Sequence, residues 1–562
     1  MQIQPQFQTI GTLIAGRLFK IPEYQRAYSW QSKQRNDLFR DIEKVHLTEA
    51  DSHFMATIVG LRRKKLRIGA DEFIEIEVVD GQQRLTTLTI LLKAISKRLT
   101  SEDAKYAKEV DALLVKGDAL SLLLLQTNHD SSNIFVDYLR DGTVPSAEQV
   151  RTSADHNLLK AINECEQFVE KWTAKLDRKL IGLLGLLKNQ LSVIFFEIED
   201  EALVYTVFEV LNSRGLDVTW FDKLKSLLMA TVFDHGDRGS KKETVSELHK
   251  LWTEIYTTIG LRWENLNRET VRFAGTLRVS KRPNRPLGEE SAAQVLSDQC
   301  EEKPKKLVAI TKWILSVTQA EARLLGDHRL RAATKIVQAR LVAIAVLLRK
   351  LPKQEEANIL SVWENVTFRI YGLGRRDARS KVGEYVQLAW RIANENLTSK
   401  EIIGELKTIG ANYPIVDVVK KLQNKDCYRK WTEQVRYFFY RYEEHIAREA
   451  GHRLNETQWN KIWADEPSKS IEHIFPQSQG SEDPATSKVF VHRLGNLMML
   501  PPGVNSKLQD DSPKDKAATY DTCGLLAAIE VGKQINAAKW DKAAIEKREK
   551  RLIKWALTAW RD

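Results

Sequence analysis

Along "HFMATIVGL" (53–61) and "EFIEIEVV" (72–79) hydrophobic and polar positions alternate, the two-residue period of half-buried strands. The basic run "RRKKLR" between them reads as the connecting turn. "QQRLTTLTILLKAISKRL" (82–99) changes to apolar spacings of three and four, the signature of an amphipathic helix, as does "DLFRDIEKVHL" (37–47). "LSVIFFEI" (191–198) is a short apolar run suited to a buried strand, followed by helical patterns at 201–211 and 219–232. Residues 1–235 therefore read as a small α/β domain with helical additions.

From 236 to 430 the pattern is helical, plainest in "KIVQARLVAIAVLLRKL" (335–351), and a basic loop "GLGRRDARSK" (372–381) interrupts it. "VRYFFYRYEEHIAREAG" (435–451) opens a final segment, 431–562, that ends in the basic helix "AAIEKREKRLIKWAL". The expected fold class is α+β multidomain, predominantly helical.

Composition adds exclusions. The apolar stretch "LIGLLGLLKNQLSVIFFEI" (180–198) is broken by Lys188, Asn189 and Gln190, so it reads as a helix end plus a strand rather than a membrane span. The N-terminus lacks the basic-then-apolar layout of a signal peptide. Cys165, Cys300, Cys427 and Cys523 are far apart, which argues against a zinc ribbon or a disulfide framework and suits a reducing cytoplasm. A formal charge of +11 favours a polyanionic partner, DNA above all, though the same charge also serves as a solubilising surface. The runs "RRKKLR", "GRRDARSK" and "KREKRLIKW" are the candidate phosphate contacts.

The sharpest chemistry lies in "KSIEHIFPQSQG" (469–480) and "VHRLGNLMMLPPGVNSKLQDDSPKDK" (491–516). A histidine, then Asn-Leu entering an apolar strand, then an asparagine opening a short helix is the order of a ββα-metal nuclease site. Phosphodiester hydrolysis needs a base near neutral pKa and a cation to neutralise developing charge. His473 is the candidate base, and Glu472 and Asn505 are candidate hard-oxygen ligands for Mg²⁺ or Mn²⁺. Asn496 pins the loop and helps to orient the base, with His492 as a lower-ranked spare.

Near the other end, "IPEYQRAYSW" (21–30) gathers Tyr24, Gln25, Arg26, Tyr28 and Trp30, residue types that stack on bases and reach phosphates. Ordinary loop packing is the alternative. In "EVVDGQQRLTTL" (77–88) a strand ends at Asp80, Gly81 turns, and Gln82 starts a helix beside Arg84, a ready anion site. A capping box between Asp80 and Gln83 would equally explain that pattern. In "FEVLNSRGLDVTWFDKLK" (208–225), Asn212 and Arg214 sit at a polar break whose plainest reading is a helix C-cap with Gly215.

The C-terminal stretch "EHIFPQS…HRLGNLMMLPPGVNSKL…K" resembles the HNH endonucleases, in particular the C-terminal domain of GmrSD-type, modification-dependent restriction enzymes. The three N-terminal motifs are similar, in order, to the ParB/sulfiredoxin-like domain of the same group. The resemblance implies three parts: an NTP-binding, DNA-sensing domain (1–235), a helical connector (236–430) and an HNH nuclease domain (431–562). It implies His473 as general base, Glu472 and Asn505 at the metal, Asn496 as central motif residue and Lys516 closing the pattern. It also implies GTP or UTP held and hydrolysed around Asp80, Gly81, Gln82, Gln83 and Arg84, with Arg26, Asn212 and Arg214 lining the pocket. The implied activity is antiphage cleavage of modified DNA, such as DNA bearing glucosylated hydroxymethylcytosine; a homodimer is compatible with it. A phosphorothioate-sensing nickase of the SspE type and a non-cleaving DNA-binding NTPase switch are the alternatives.

Overall fold

The computed structural model describes residues 5–22, 25–48, 53–116, 122–127, 133–175, 178–199, 219–235, 238–260, 263–300, 303–330, 336–429, 431–464, 466–477 and 488–562. The described chain is predominantly helical, with one mixed sheet in the N-terminal region. Six strands build that sheet: β1 (Pro5–Thr9), β2 (Arg17–Ile21), β3 (His53–Ile68), β4 (Asp71–Asp80), β5 (Leu125–Thr127) and β6 (Leu191–Ile198). Their spatial order is β1-β6-β3-β4-β2-β5. The β1/β6 and β3/β4 pairs are antiparallel; β6/β3, β4/β2 and β2/β5 are parallel.

The basic run expected as a turn is instead strand. β3 continues through Ile68, pairs with β4 from Val59↔Asp80 to Ile68↔Asp71, and reverses at Gly69, whose φ of +60° is the left-handed value a tight hairpin needs. Cross-strand acids make this possible. Arg63 meets Glu77 at 2.8 Å, Lys65 meets Glu72 at 2.6 Å, Lys64 meets Glu75 at 3.9 Å and Arg62 meets Glu197 of β6 at 3.1 Å.

The Gln82–Leu99 helix is sunk deep in the N-terminal core, with Leu85, Leu88, Leu91, Leu92 and Ile95 packed against sheet residues such as Ile58, Ile76 and Val78. Its buried threonines stay satisfied by bonding carbonyls one turn back: Thr86 to Gln82 at 2.9 Å, Thr87 to Gln83 at 2.8 Å and Thr89 to Leu85 at 2.6 Å. The helices Ser32–Thr48, Ser153–Thr173 and Leu180–Asn189 contribute to the same core.

By packing, the chain divides into two compact units, 1–275 with 287–319, and 276–286 with 320–562. The helices of the expected 236–430 connector are thus shared between both. The second unit has its own aromatic core, including Tyr437, Phe438, Trp459, Tyr520 and Trp560. Within it, Glu443 of the Thr432–Glu449 helix accepts N–H bonds from Leu526 (2.6 Å) and Ala527 (2.9 Å). That caps the Leu526–Ala537 helix, whose own N-cap residue, Leu525, has no side-chain oxygen to offer. Two three-residue strands, β7 (Ile471–His473) and β8 (Leu497–Met499), pair antiparallel and are followed by the Pro502–Leu508 helix. No described helix is long and apolar enough to cross a membrane.

Candidate active site

Register brings the C-terminal motif together. His473 lies opposite Leu497 and Glu472 opposite Met498. The pairing is extended by Ile474 N–H donating to the Asn496 carbonyl at 3.0 Å and Leu500 N–H to the Ser470 carbonyl at 2.9 Å. Alternation along β7 sends the Glu472 and His473 side chains to opposite faces.

His473 is buried, and both ring nitrogens are engaged. Its Nε2 lies 3.0 Å from His492 Nδ1, and its Nδ1 lies 3.1 Å from the Gln477 side-chain nitrogen. Tyr428 meets the His473 ring edge-on at 4.6 Å and stacks on His492 at 5.3 Å. Burial, and then the neighbouring His492 and Lys516, push the imidazole down to about 3, so it stands neutral but well below the near-neutral value expected of it as the base. His492 is also lowered, first by its own burial.

Glu472 occupies a separate polar nest. Its Oε1 accepts from Lys516 Nζ at 2.8 Å and from Tyr520 Oη at 2.8 Å, and Lys516 also bonds the His473 carbonyl at 3.1 Å. Burial outweighs those partners and leaves the carboxyl above its ordinary value. Asn496 is fully buried and uses its whole amide. Its Oδ1 accepts from Phe475 N–H at 2.8 Å and Trp540 Nε1 at 3.2 Å; its Nδ2 donates to the carbonyls of Phe475 (3.0 Å) and Val491 (2.8 Å). It is a loop pin.

Asn505 differs. Its Nδ2 is tied to the carbonyls of Lys469 at 2.9 Å and Ile471 at 3.4 Å, which holds it against the start of β7, while its Oδ1 is buried without a hydrogen-bond partner. An orphaned hard oxygen of this kind suits a divalent cation. Among the described residues no group of three or more His, Cys, Asp or Glu is arranged to hold a metal. Of the two expected ligands, Asn505 has a free oxygen, whereas Glu472 Oε1 is already held by Lys516 and Tyr520.

Sequence reasoning missed Gln477, Tyr428 and Tyr520. Tyr520 lies one helical turn past Lys516 and shares its face, a spacing that could have exposed it. Tyr428 is remote in the chain from both histidines and carries no such signal.

In the first unit, β4 ends at Asp80 and Gly81 takes φ +94°. A Cβ at position 81 would meet Ile58 Cγ1 at 2.9 Å, so glycine is required. The capping box is not formed: Gly81 is the N-cap of the Gln82–Leu99 helix and no side chain caps it. Gln83 reaches outward instead. Its Oε1 accepts from Ser29 N–H at 2.8 Å and Trp30 N–H at 3.3 Å, and its Nε2 donates to the Ala27 carbonyl at 3.1 Å. Gln82 bonds Gln25 at 2.9 Å, and Gln25 in turn bonds the Val79 carbonyl at 2.7 Å.

These bonds weld two sequence motifs into one body, and they correct the expectation of an open stacking loop. Gln25, Tyr28 and Trp30 are buried, with Tyr28 bonded to Thr87 at 2.9 Å. Arg26 and Arg84 are partly exposed, and Arg84 lies over the Trp30 ring at 6.0 Å. Arg26, Tyr28, Gln82, Gln83 and Thr86 line a crevice whose water-accessible space is about 10 Å³, room for roughly one water. Tyr24, Asn212 and Arg214 lie outside the described residues.

Family models match both ends of the chain. Residues 9–229 match the GmrSD restriction endonuclease, N-terminal domain, and residues 415–555 match the GmrSD restriction endonucleases, C-terminal domain. Both matched regions are thus of the restriction endonuclease class, and each encloses one of the two constellations. The chain belongs to the GmrSD restriction endonucleases, a type IV restriction family. No curated protein matches it.

Proposed function

We propose that this endonuclease cuts or nicks modified DNA by metal-assisted hydrolysis at the 472–505 site, under control of an NTP bound at the 80–84 site. The observation that carries the nuclease reading is the buried, unpartnered Oδ1 of Asn505, held beside the strand that bears Glu472 and His473. Glu472 and Asn505 would hold Mg²⁺ or Mn²⁺, which when bound supplies positive charge to the phosphate and the leaving oxygen. His473, neutral at working pH, takes the proton of the attacking water as the new P–O bond forms and the bond to the leaving sugar oxygen breaks. Asn496 keeps the Phe475 turn in place, and with it the exit from β7. The strand–loop–strand–helix order from β7 to Pro502–Leu508 supports an HNH-type assignment.

The NTP reading rests on the uncapped start of the Gln82–Leu99 helix. Backbone N–H groups there, the left-handed Gly81 and the first-turn Arg84 form an anion cradle for a triphosphate such as GTP or UTP. Nucleotide entry requires the crevice beside Arg26 to widen.

The test is cleavage of plasmid or phage DNA, unmodified, glucosylated and phosphorothioated, with Mg²⁺ or Mn²⁺ and with or without each NTP. Glucosylated DNA should be cut by the wild type and spared by His473→Ala. Undiminished cutting by that variant removes the nuclease reading, and cutting confined to phosphorothioated DNA moves the target class.

A further inference from the structure

Several cations gather where the basic loop leaves its helix. The π-helical turn Phe368–Leu373 is capped by Gly374, and Arg375 follows with φ +49°, in the left-handed region that favours glycine. What its side chain grips keeps it there: Arg375 lies over the Trp431 ring at 4.9 Å and donates to the Asp426 carbonyl at 2.8 Å. Arg376 lies over the Tyr413 ring at 5.3 Å, and Lys421 Nζ donates to the Gly374 carbonyl at 2.7 Å.

A solvated charge run spreads out or pairs with acids, and this one does neither. Among the described residues no carboxylate forms an ion pair with Arg375, Arg376, Lys421 or Lys425, all of them exposed, and Arg429 meets Asp426 only at 3.8 Å. Lys421 is pushed below its ordinary value, first by desolvation and then by Arg376 and Arg375, so like charges are held together at a cost. The same segment touches the nuclease motif. Cys427 N–H donates to the His492 carbonyl at 2.8 Å, and Tyr428, which lies between Lys425 and Arg429 in the chain, meets the His473 ring edge-on.

We infer that Arg375, Arg376, Lys421 and Lys425 form a phosphate-binding surface for double-stranded DNA, joined through the 426–428 segment to the His473 site. Backbone phosphates supply the negative charge that the cluster lacks, and such contacts hold the duplex without reading its bases. The inference rests on the nuclease reading for what the surface delivers, and on the cluster itself for what it binds.

The full-length protein is titrated against a short labelled DNA duplex, without divalent metal, over a range of NaCl concentrations. Arg376→Gln, Lys421→Gln and Lys425→Gln are combined, and Arg375 is kept for its packing. Each lost contact should lower the slope of log affinity against log salt by about 0.9, and the three together by about 2.7. Between ~50 and ~200 mM salt the wild type should then lose roughly 40-fold more affinity than the triple variant. A second triple variant, Lys353→Gln, Lys400→Gln and Lys407→Gln, removes the same charge from exposed positions of the same unit and should keep the wild-type slope. If the first triple variant fails to fold, Lys425→Gln alone, whose side chain makes no bond in the fold, should lower the slope by about 0.9. A wild-type slope in the cluster variants, or an equal drop in both triple variants, overturns the inference. Because no metal is present, the slopes stand whether or not His473→Ala abolishes cutting: a His473→Ala protein that still cuts removes the catalytic assignment and leaves the binding surface decided.

Discussion

Lys516 Nζ lies 2.8 Å from Glu472 Oε1 with the two side chains only 1% and 6% exposed, a buried ion pair on β7. Such a pair is costly to break from one side, because the remaining charge has no water to turn to. Lys516→Ala should therefore cost about 3–5 kcal/mol, read from urea unfolding. The double variant Glu472→Gln with Lys516→Met, which strands no charge, should lose less. A Lys516→Ala protein within about 1 kcal/mol of wild type would contradict the pair's structural weight.

Asn505 should show the opposite balance. Asn505→Ala removes one firm bond, to the Lys469 carbonyl, and an oxygen that bonds nothing, so stability should fall by only about 1 kcal/mol. Metal binding by calorimetry and DNA cleavage should both collapse. Retained Mn²⁺ affinity would remove Asn505 from the cation site.

Glu443 makes stability depend on pH in a definite direction. Burial, the largest influence, lifts its carboxyl from 4.5 to about 7, against the two helix N–H groups that favour its charged form. With the folded value above the unfolded one, the native state binds the extra proton, so this group's contribution is full below the unfolded pKa and lost as pH rises through the folded one. Relative to Glu443→Gln, wild-type stability should decline by up to about 3 kcal/mol as pH rises through that window. Paired unfolding curves between acid and neutral pH check it, and a flat difference would refute the assignment.

Gln83→Ala should loosen the 27–30 loop without unfolding the domain. Three bonds are lost, two of them to the backbone N–H groups of Ser29 and Trp30, so amide exchange at those positions should accelerate. Cleavage should keep its basal rate while its response to nucleotide weakens. Unchanged exchange at Ser29 would show that the loop is held by other means.

Periodicity revealed the long elements well. The alternation of 72–79 and the apolar run of 191–198 became strands, and 82–99 became a helix, because each has a face wide enough to be read from its own residues. β2 was not legible, since its extent is set by strands distant in the chain, whereas the strand expected after Asn496 in the ββα order is present as β8, paired with β7 at the "IEH" motif. "RRKKLR" was misread because a charged strand looks like a turn until its acidic partner is aligned beside it. Gln83 was misread for a related reason: the same spacing serves a helix cap or a reach to a neighbouring loop, and only the neighbour decides. At the C-terminal site, the order of Glu472, His473, Asn496 and Asn505 was visible, but Tyr428 and the His473–His492 contact depended on folding. The orphaned oxygen of Asn505 could be found only in three dimensions.

The hairpin of β3 and β4 also bears on how this chain meets a polyanion. Four of the five cations in "RRKKLR" already face carboxylates. A cation so neutralised displaces few of the ions condensed on a double helix, so the hairpin adds little to the slope of log affinity against log salt concentration. Counting lysines and arginines therefore overstates the chain's grip on DNA. The ionic-strength dependence of binding measures instead how many cations remain unmatched, and of the "RRKKLR" run only Arg67 has no carboxylate among these ion pairs.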